Sequence, residues 1–528
     1  MFRKLFSLLT IILMTTSPAV AQENEVAAAA ALDSVIRIFP HYDIVDNFVD
    51  EVFKKHKKSA SMATRIAKSY YNFVENPETK QRTYYRRDLP RAFSYIDKAL
   101  AINPKYSKAY IVASDIFFNQ AKLDTAQMWL DKGIAANPTD SALYIESAKL
   151  LAFTDPDAAV KKLMVLKQRD STFHVNLQLG RLYYRLYDKH GMQPLTAMPA
   201  IAASYSKAYD SSERSDMTLY DYSYLCLGLQ HSPDMGEERY MKMYDVSAYS
   251  KELFPKDFGL QHFHLLACLN TKKYDEGIMT MEGMKMLPDS VKKFKDDDYL
   301  WYGSCLAGAK RYDDAIAQYE YVLAMEDAEA NRKTLARNAI TNTIVNQVKE
   351  MVDMGEYEKA IAVIEPALQK SREEGNQNDK LVNELGKLYF TWSSELNGIE
   401  KQDALKKTVN VFAEGAEHSD LNTTLFLYQC VYFGESIDQD AEYKDVIILP
   451  YAKKLISLLG SKSDIDTGDR GRLSRAYQYM MRYEYFNGFL YRKNKKSKNA
   501  ALDYAYNVLE LDPSQEQAQR FVSVLGRK

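Results

Sequence analysis

Two sets of residues in this chain recur at one spacing. Ala92, Ile96, Ala99 and Pro104 return as Ala126, Leu130, Gly133 and Pro138, each 34 residues further on. The segment between the sets has room for one more helix and two turns, so the spacing predicts a helix hairpin repeated along the chain. In each set the small residues suit a close helix crossing, the larger apolar residue fills the gap beside it, and proline stops the helix. A hairpin of this kind cannot bury its apolar face alone. It must stack on neighbours, which sets the expected fold class as all-α and the architecture as an α-solenoid.

At 528 residues the chain exceeds what one compact core supports, whereas stacked hairpins extend in one direction without limit. The first 21 residues stand apart. Arg3 and Lys4 precede an apolar run from Leu5 to Met14, and Ala19-Val20-Ala21 follows, the pattern of a secretory signal peptide. The apolar run is well short of the ~20 residues that cross a bilayer, so the segment reads as a leader and not as a membrane anchor. The first cysteine is Cys226, so a lipid-bearing cysteine just after the cleavage point is absent. After the leader, an Ala-rich run and the stripe Ile44, Phe48 and Val52 mark amphipathic helix. The expected organisation is a signal peptide over 1–21, an N-terminal helical cap over 22–60, the solenoid over 61–513 and a C-terminal capping helix over 514–528.

Between the two sets, Tyr110, Ala113, Ser114 and Phe117 occupy the places of a large residue, a small pair and an aromatic. With them the stretch resembles the tetratricopeptide repeat (TPR) family, whose unit is a hairpin of helices A and B. The resemblance implies a right-handed superhelix of about ten or eleven such hairpins, and a protein that binds other proteins. Leu179-Gly180 with Tyr183 and Leu385-Gly386 with Tyr389 repeat the helix A signature. KKYDEGI, KRYDDAI and GEYEKAI place Tyr274, Tyr312 and Tyr357 at A-to-B turns. Two irregularities are expected: a long polar connection, NPETKQRTYYRRDLP, inside the first repeat, and a surplus in KHGMQPLTA that delays the helix B near Ile201.

Charge and cysteine content narrow the function classes. Lys and Arg total 69 against 71 Asp and Glu, a net charge of −2, with no basic block interleaved with aromatics, which argues against nucleic acid as a partner. Cys226, Cys268 and Cys305 fall in helix A segments of successive hairpins, whose axes lie about 8–10 Å apart, too far for a disulfide. With Cys430 they are expected to be free thiols.

Three constellations invite a chemical reading. His264 and Cys268, with His262 nearby, could offer two metal ligands on one helical face, but no second pair accompanies them. Asp464-x-Asp466-x-Gly468-Asp469 suggests a calcium loop, yet Gly468, Asp469 and Arg475 stand where an oxygen ligand, glycine and glutamate belong. Gly303-Ser304-Cys305 has a protease-like look at a place where helix A needs a small residue. The expectation is therefore no enzyme, no metal and no cofactor.

The remaining signal is aromatic. The 39 tyrosines cluster, as in Tyr220-x-Tyr222-x-Tyr224, and alternating rings on a helix cannot all face one core. The resemblance places Asp115, Phe118 and Asn119 on the inner side of one helix A, Lys149 and Phe153 on the next, and Arg181, Tyr184 and Arg185 on the third. Phe118, Phe153 and Tyr184 are expected to form an aromatic ladder along a concave groove. The clamp that some family members use for a C-terminal carboxylate needs Lys and Asn where Ile111 and Asp115 stand, so that mode is not carried over. The leading reading is an exported, non-catalytic scaffold that binds a protein or peptide segment, periplasmic or extracellular, in an envelope setting and not membrane-spanning. The alternative is an envelope glycan-binding protein with an aromatic face, by resemblance to starch-binding outer-membrane lipoproteins. Export predicts processing between Ala21 and Gln22. Intact-mass measurement of the exported chain should find it shortened by residues 1–21; a retained N-terminus rejects the leader.

Overall fold

The computed structural model describes residues 18–38, 43–75, 82–375, 378–462 and 464–526. Most of the expected leader lies outside them; helix α1 (Pro18–Ile38) runs through the expected cleavage point. With α2 (Asp43–Lys55), α1 covers α3 (Ala60–Tyr70) through Ala28, Leu32, Val45, Val49 and Val52. Of the expected stripe, Val52 is buried and Phe48 packs against this core, joined by Val45 and Val49, while the side chain of Ile44 lies outside those described.

The long connection of the first repeat is not wholly irregular. Strand β2 (Arg82–Arg87) pairs antiparallel with β1 (Tyr71–Glu75), Tyr71 opposite Arg87 and Glu75 opposite Arg82. Phe73-Val74 and Thr83-Tyr84-Tyr85 are residues that favour a pleated strand, a preference that charge in the flanking sequence concealed. These are the only strands among the described residues, and the remainder is helical.

The chain divides into two compact units, the first running to Thr271 with Met286–Val291, the second comprising Lys272–Lys285 and Lys292–Lys528. In the first, hairpins form from α3 and α4 (Leu89–Ile102), α5 (Ser107–Phe118) and α6 (Leu123–Ala136), α7 (Ser141–Leu151) and α8 (Pro156–Arg169), α9 (Val175–His190) and α10 (Pro194–Tyr209), and α11 (Leu219–Gln230) and α12 (Glu238–Leu253). Helix α13 (Phe258–Asn270) follows. The second begins with α14 (Tyr274–Lys285) and pairs α15 (Asp296–Gly308) with α16 (Tyr312–Ala324), α17 (Ala330–Asp353) with α18 (Tyr357–Glu373), and α19 (Asp379–Ser393) with α20 (Gly398–His418). Then α21 (Thr423–Asp440) pairs with α22 (Leu449–Leu459) and α23 (Thr467–Tyr483) with α24 (Lys495–Leu511), closed by α25 (Glu516–Leu525). Each unit is a solenoid of TPR-like hairpins.

The turns follow from local chemistry. Tyr274, Tyr312 and Tyr357 are each the first residue of a B helix, as their spacing predicts. Two residues before them, Lys272, Lys310 and Gly355 take φ values of 60°, 62° and 76°, and Ala121 takes 58° two residues before α6. Such a left-handed residue ends the A helix and lets the next N–H reach back: Arg311 bonds the Leu306 carbonyl at 2.8 Å, and Glu356 that of Met351 at 2.8 Å. Only one of these positions is glycine, so the others accept a local strain of about 1–2 kcal/mol for the same turn.

Extra residues go into helices more than into loops. KHGMQPLTA leaves only Gly191 to Gln193 between α9 and α10; both helices are 16 residues long, with Gly191 left-handed at φ 69°. Likewise Ala330 to Lys333 form the first turn of the 24-residue α17. In three of the pairs, a glycine on helix A lies under a ring from helix B. A Cβ at Gly180 would meet the Tyr205 ring at 2.8 Å, and one at Gly303 the Tyr319 ring at 2.6 Å. In the founding repeat, Gly133 lies equally close to Tyr110 and Leu143, and Ala92, Ile96, Ala99, Ala126 and Leu130 are all buried. All four cysteines are buried free thiols.

Because Ala126 has no solvent exposure at such a crossing, Ala126→Leu should destabilise by about 1–3 kcal/mol. Chemical denaturation checks this, and an unchanged midpoint would show that the crossing is not tight.

Candidate binding surface

The inner-face residues expected from sequence lie on α5, at the end of α7 and on α9, all within the first unit. Helix α5 ends at Phe118, ahead of the left-handed Ala121, and the C-cap Asn119 bonds the Asp115 carbonyl through both its backbone N–H and its side-chain amide, at 3.0 and 2.8 Å. That bond turns the Asn119 amide inward on its own helix. Asp115 is exposed, and one turn away on α7 Lys149 pairs with Glu146 at 2.7 Å.

Asp115 is reached by water yet has protein on several sides. Loss of hydration, then the nearby Glu146 carboxylate, push its carboxyl up to about 6, against the opposing pull of Lys68 and Lys149. The surface here is therefore a balanced mixture of two carboxylates and two ammonium groups, none of them deeply paired.

Next to it lies an apolar strip. Phe118 and Phe153 pack with ring centroids 5.4 Å apart, tilted at 57°. Phe153, 45% exposed just beyond α7, takes an edge-on contact on its other side from His190, 4.3 Å away. Burial and the Arg185 guanidinium lower the His190 pKa, so this imidazole is neutral at pH 7 and presents a largely apolar ring.

Tyr184 goes elsewhere. Its ring stacks on Tyr224 of α11 at 3.5 Å and 16°, with Tyr187 at 6.3 Å, and Tyr220 stacks in turn on Tyr224 at 6.3 Å. The rings thus form two groups, Phe118–Phe153–His190 and a tyrosine stack, and the third ring against Phe153 is His190. The reason is helix length. α9 runs to His190 before Gly191 stops it, which carries a residue six positions past Tyr184 back to Phe153. Gly191 was the sequence signal for that end.

Arg181, expected on the open face, is committed to structure. It forks onto Asp221 of α11 through Nε at 2.9 Å and Nη2 at 2.7 Å. Tyr205 also donates to Asp221 at 3.0 Å, and Thr218 completes a capping box around it. Burial opposes ionisation of Asp221, but the bonds from Arg181 and Thr218 outweigh it and hold the carboxyl below the usual range. Arg185 lies beside His190 on the same helix. Sequence reading missed Glu146, His190 and Tyr224 as members of this surface.

The side chains of the three chemical candidates have defined surroundings. His264 is buried, with Nδ1 2.9 Å from Ser247 Oγ and Nε2 3.5 Å from Cys268 Sγ. Asp466 caps α23 by accepting from the Asp469 N–H at 2.8 Å, while Asp469 binds Lys462 and Arg472 at 2.9 and 2.7 Å. Ser304 donates to the Leu300 carbonyl at 2.8 Å, and burial pushes the Cys305 thiol up to about 12. A thiol with that pKa is no nucleophile at neutral pH.

The raised pKa of Asp115 carries a sign. The folded state binds its proton more tightly than the unfolded chain, so stability falls as pH rises from about 4 to 6 and is level above. Asp115→Asn should be more stable than the unmutated protein at pH 7 and equal to it at pH 4, by about 0.5 kcal/mol given solvent screening. Melting curves at the two pH values decide it, and a variant less stable at pH 7 rejects this environment.

No protein-family model matches the chain, and no curated protein does. Among solved structures it is similar to the C-terminal part of a TPR repeat-containing protein from Cytophaga hutchinsonii. That match has 18% identity over 55% of this chain and 97% of the other, with a TM-score of 0.33. It is also similar to a tetratricopeptide repeat protein from Parabacteroides merdae, 13% identical over 48% of this chain and 93% of that one, at a TM-score of 0.25. The TPR-like description rests on the hairpin packing above.

Proposed function

We propose that the protein is an exported, non-catalytic scaffold that binds a segment of a protein partner along the helix A face of its first unit. The observation that carries this reading is Phe153, nearly half exposed yet held between the rings of Phe118 and His190. A ring kept in water by its neighbours contributes little to folding and is available as an anchor for a partner. Asp115, Glu146, Lys149 and Arg185 border it, so a segment with both charged and apolar side chains suits the strip. The role without chemistry is the reading carried from the sequence; at Asp469 and Ser304 it agrees with side chains that cap and close helices. The reading of export rests on residues 1–21, and an envelope complex is the proposed setting. Among the described residues no helix is long and apolar enough to cross a membrane.

The test is capture from envelope extract by the mature chain, paired with the double variant Phe118→Ala and Phe153→Ala. The variant should melt nearly as the unmutated protein does and lose at least about 2 kcal/mol of affinity for the captured partner, roughly thirtyfold. A variant that keeps its partner, or an unmutated chain that captures none and is instead retarded in a polysaccharide gel, overturns the proposal, the latter in favour of glycan binding.

A further inference from the structure

In the second unit, apart from the surface just described, the loop after α21 and the end of α23 enclose a cleft of about 700 Å³. Local departures from regular helix build it. Glu484–Tyr491 is wound as a π-helix, and beyond it the Arg492 N–H bonds the Asn487 carbonyl, five residues back, at 2.9 Å. In an α-helix Phe486 and Leu490 share a face and position 491 turns away. In the wider π turn a residue five positions on returns to the starting side, so Tyr491 joins them.

Across the cleft, Glu442 and Tyr443 are successive non-glycine residues at φ 49° and 56°. Two such residues in a row persist only where the surroundings hold them, and strain of this kind gathers at binding sites. The Tyr443 N–H bonds the Asp438 carbonyl at 2.6 Å, its hydroxyl donates to Glu435 at 3.0 Å, and Asn487 donates to its carbonyl. The Tyr443 ring then lies parallel to Phe486, 5.7 Å away. Tyr491 stays 55% exposed, with the Lys444 ammonium 5.4 Å from its centroid.

The charges lining the cleft are already paired within the protein. Lys444 binds Glu442, and Arg482 grips Glu435 through Nε at 2.6 Å and Nη2 at 2.8 Å. Arg482 Nη1 also takes the Gln517 side-chain oxygen at 2.5 Å, which orients that amide so that its NH₂ is the group left over. What the cleft offers is a floor of Phe486, Leu490 and Tyr491, rimmed by donors from Gln517, Tyr491 and Lys444 and by the Glu442 carboxylate that Lys444 neutralises, with the Gln439 carboxamide able to act either way.

We propose that this cleft binds a proline-rich segment of a partner protein in the polyproline II conformation. Such a segment is apolar, presents flat rings, keeps its backbone carbonyls unbonded and lacks the N–H groups that would need acceptors here. The electrostatic match is between its carbonyl oxygens and the donor rim. A charged segment would have to break the internal ion pairs.

The full chain is titrated calorimetrically with a blocked peptide of about nine prolines, three turns of the helix, with a blocked Gly-Ser peptide of equal length as the control. The polyproline peptide should bind and the control should not, a result that needs no variant. Tyr491→Ala should weaken binding at least about tenfold with an unchanged melting temperature, and Tyr491→Phe should retain most of it. Phe118→Ala with Phe153→Ala should leave it untouched, which separates this site from the first-unit surface. Failure of the polyproline peptide to bind, equal binding by Tyr491→Ala, or binding of a neutral maltooligosaccharide in its place overturns the proposal.

Discussion

One contact found in both units fixes how closely the helices of a hairpin approach: a ring from helix B pressed onto a glycine of helix A. Gly180 receives Tyr205, Gly303 receives Tyr319 and Gly386 receives Phe412. The missing side chain brings the helices close enough for the ring to be fully enclosed, and Tyr205, Tyr319 and Phe412 are indeed buried. Truncating a ring so enclosed costs about 3–5 kcal/mol, a large share of a domain's net stability. A single methyl on the glycine would meet ring carbons at well under contact distance. The contact therefore sets helix spacing, and the spacing sets which side chains face outward.

Buried tyrosines, two of these rings among them, do a second task. Tyr205 passes its hydroxyl to Asp221 of the following repeat, where Arg181 already sits, so one carboxylate joins α9, α10 and α11. Tyr319 reaches Ser304 at 3.1 Å, and Tyr479 reaches Asp438 at 2.5 Å. Asp438 also accepts from the Ile447 and Ile448 N–H groups, which ties down the loop after α21. Glu435, buried one turn earlier, holds both Arg475 and Arg482. Removing one member of such a buried pair leaves an uncompensated charge, a loss of about 3–5 kcal/mol, so these pairs bind neighbouring repeats into a cooperative whole. Tyrosine suits the role because it fills the crossing as phenylalanine does and still carries a donor.

Function follows from what this frame leaves over. Rings that fit no crossing stay at or near the surface and associate in small groups: Phe118 with Phe153 and His190, Tyr184 with Tyr224, and Phe486 against the buried Tyr443. The charged groups divide the same way. Arg181 and Arg482 are committed to carboxylates of neighbouring helices, whereas Asp115 stays exposed, so charge in the sequence alone does not distinguish internal pairs from open surface.

The sequence by itself determined the repeat. The 34-residue step from Ala92 to Ala126, the glycines at 133, 180 and 386 and the tyrosines at 274, 312 and 357 mark helices, crossings and turns through interactions within one hairpin or with the start of the next, which short spacings encode. It also indicated four free cysteines, since residues on successive A helices are held too far apart to bridge. Tertiary structure decided the rest. Whether Phe153 meets Tyr184 or His190 depends on how far α9 runs before Gly191. The pairing of Arg181 with Asp221 spans 40 residues, β1 finds β2 across a polar segment, and the π turn at Glu484–Tyr491 answers to Asn487 reaching Tyr443. Each outcome depends on helix lengths and packing distances between repeats, and no window of one hairpin contains them.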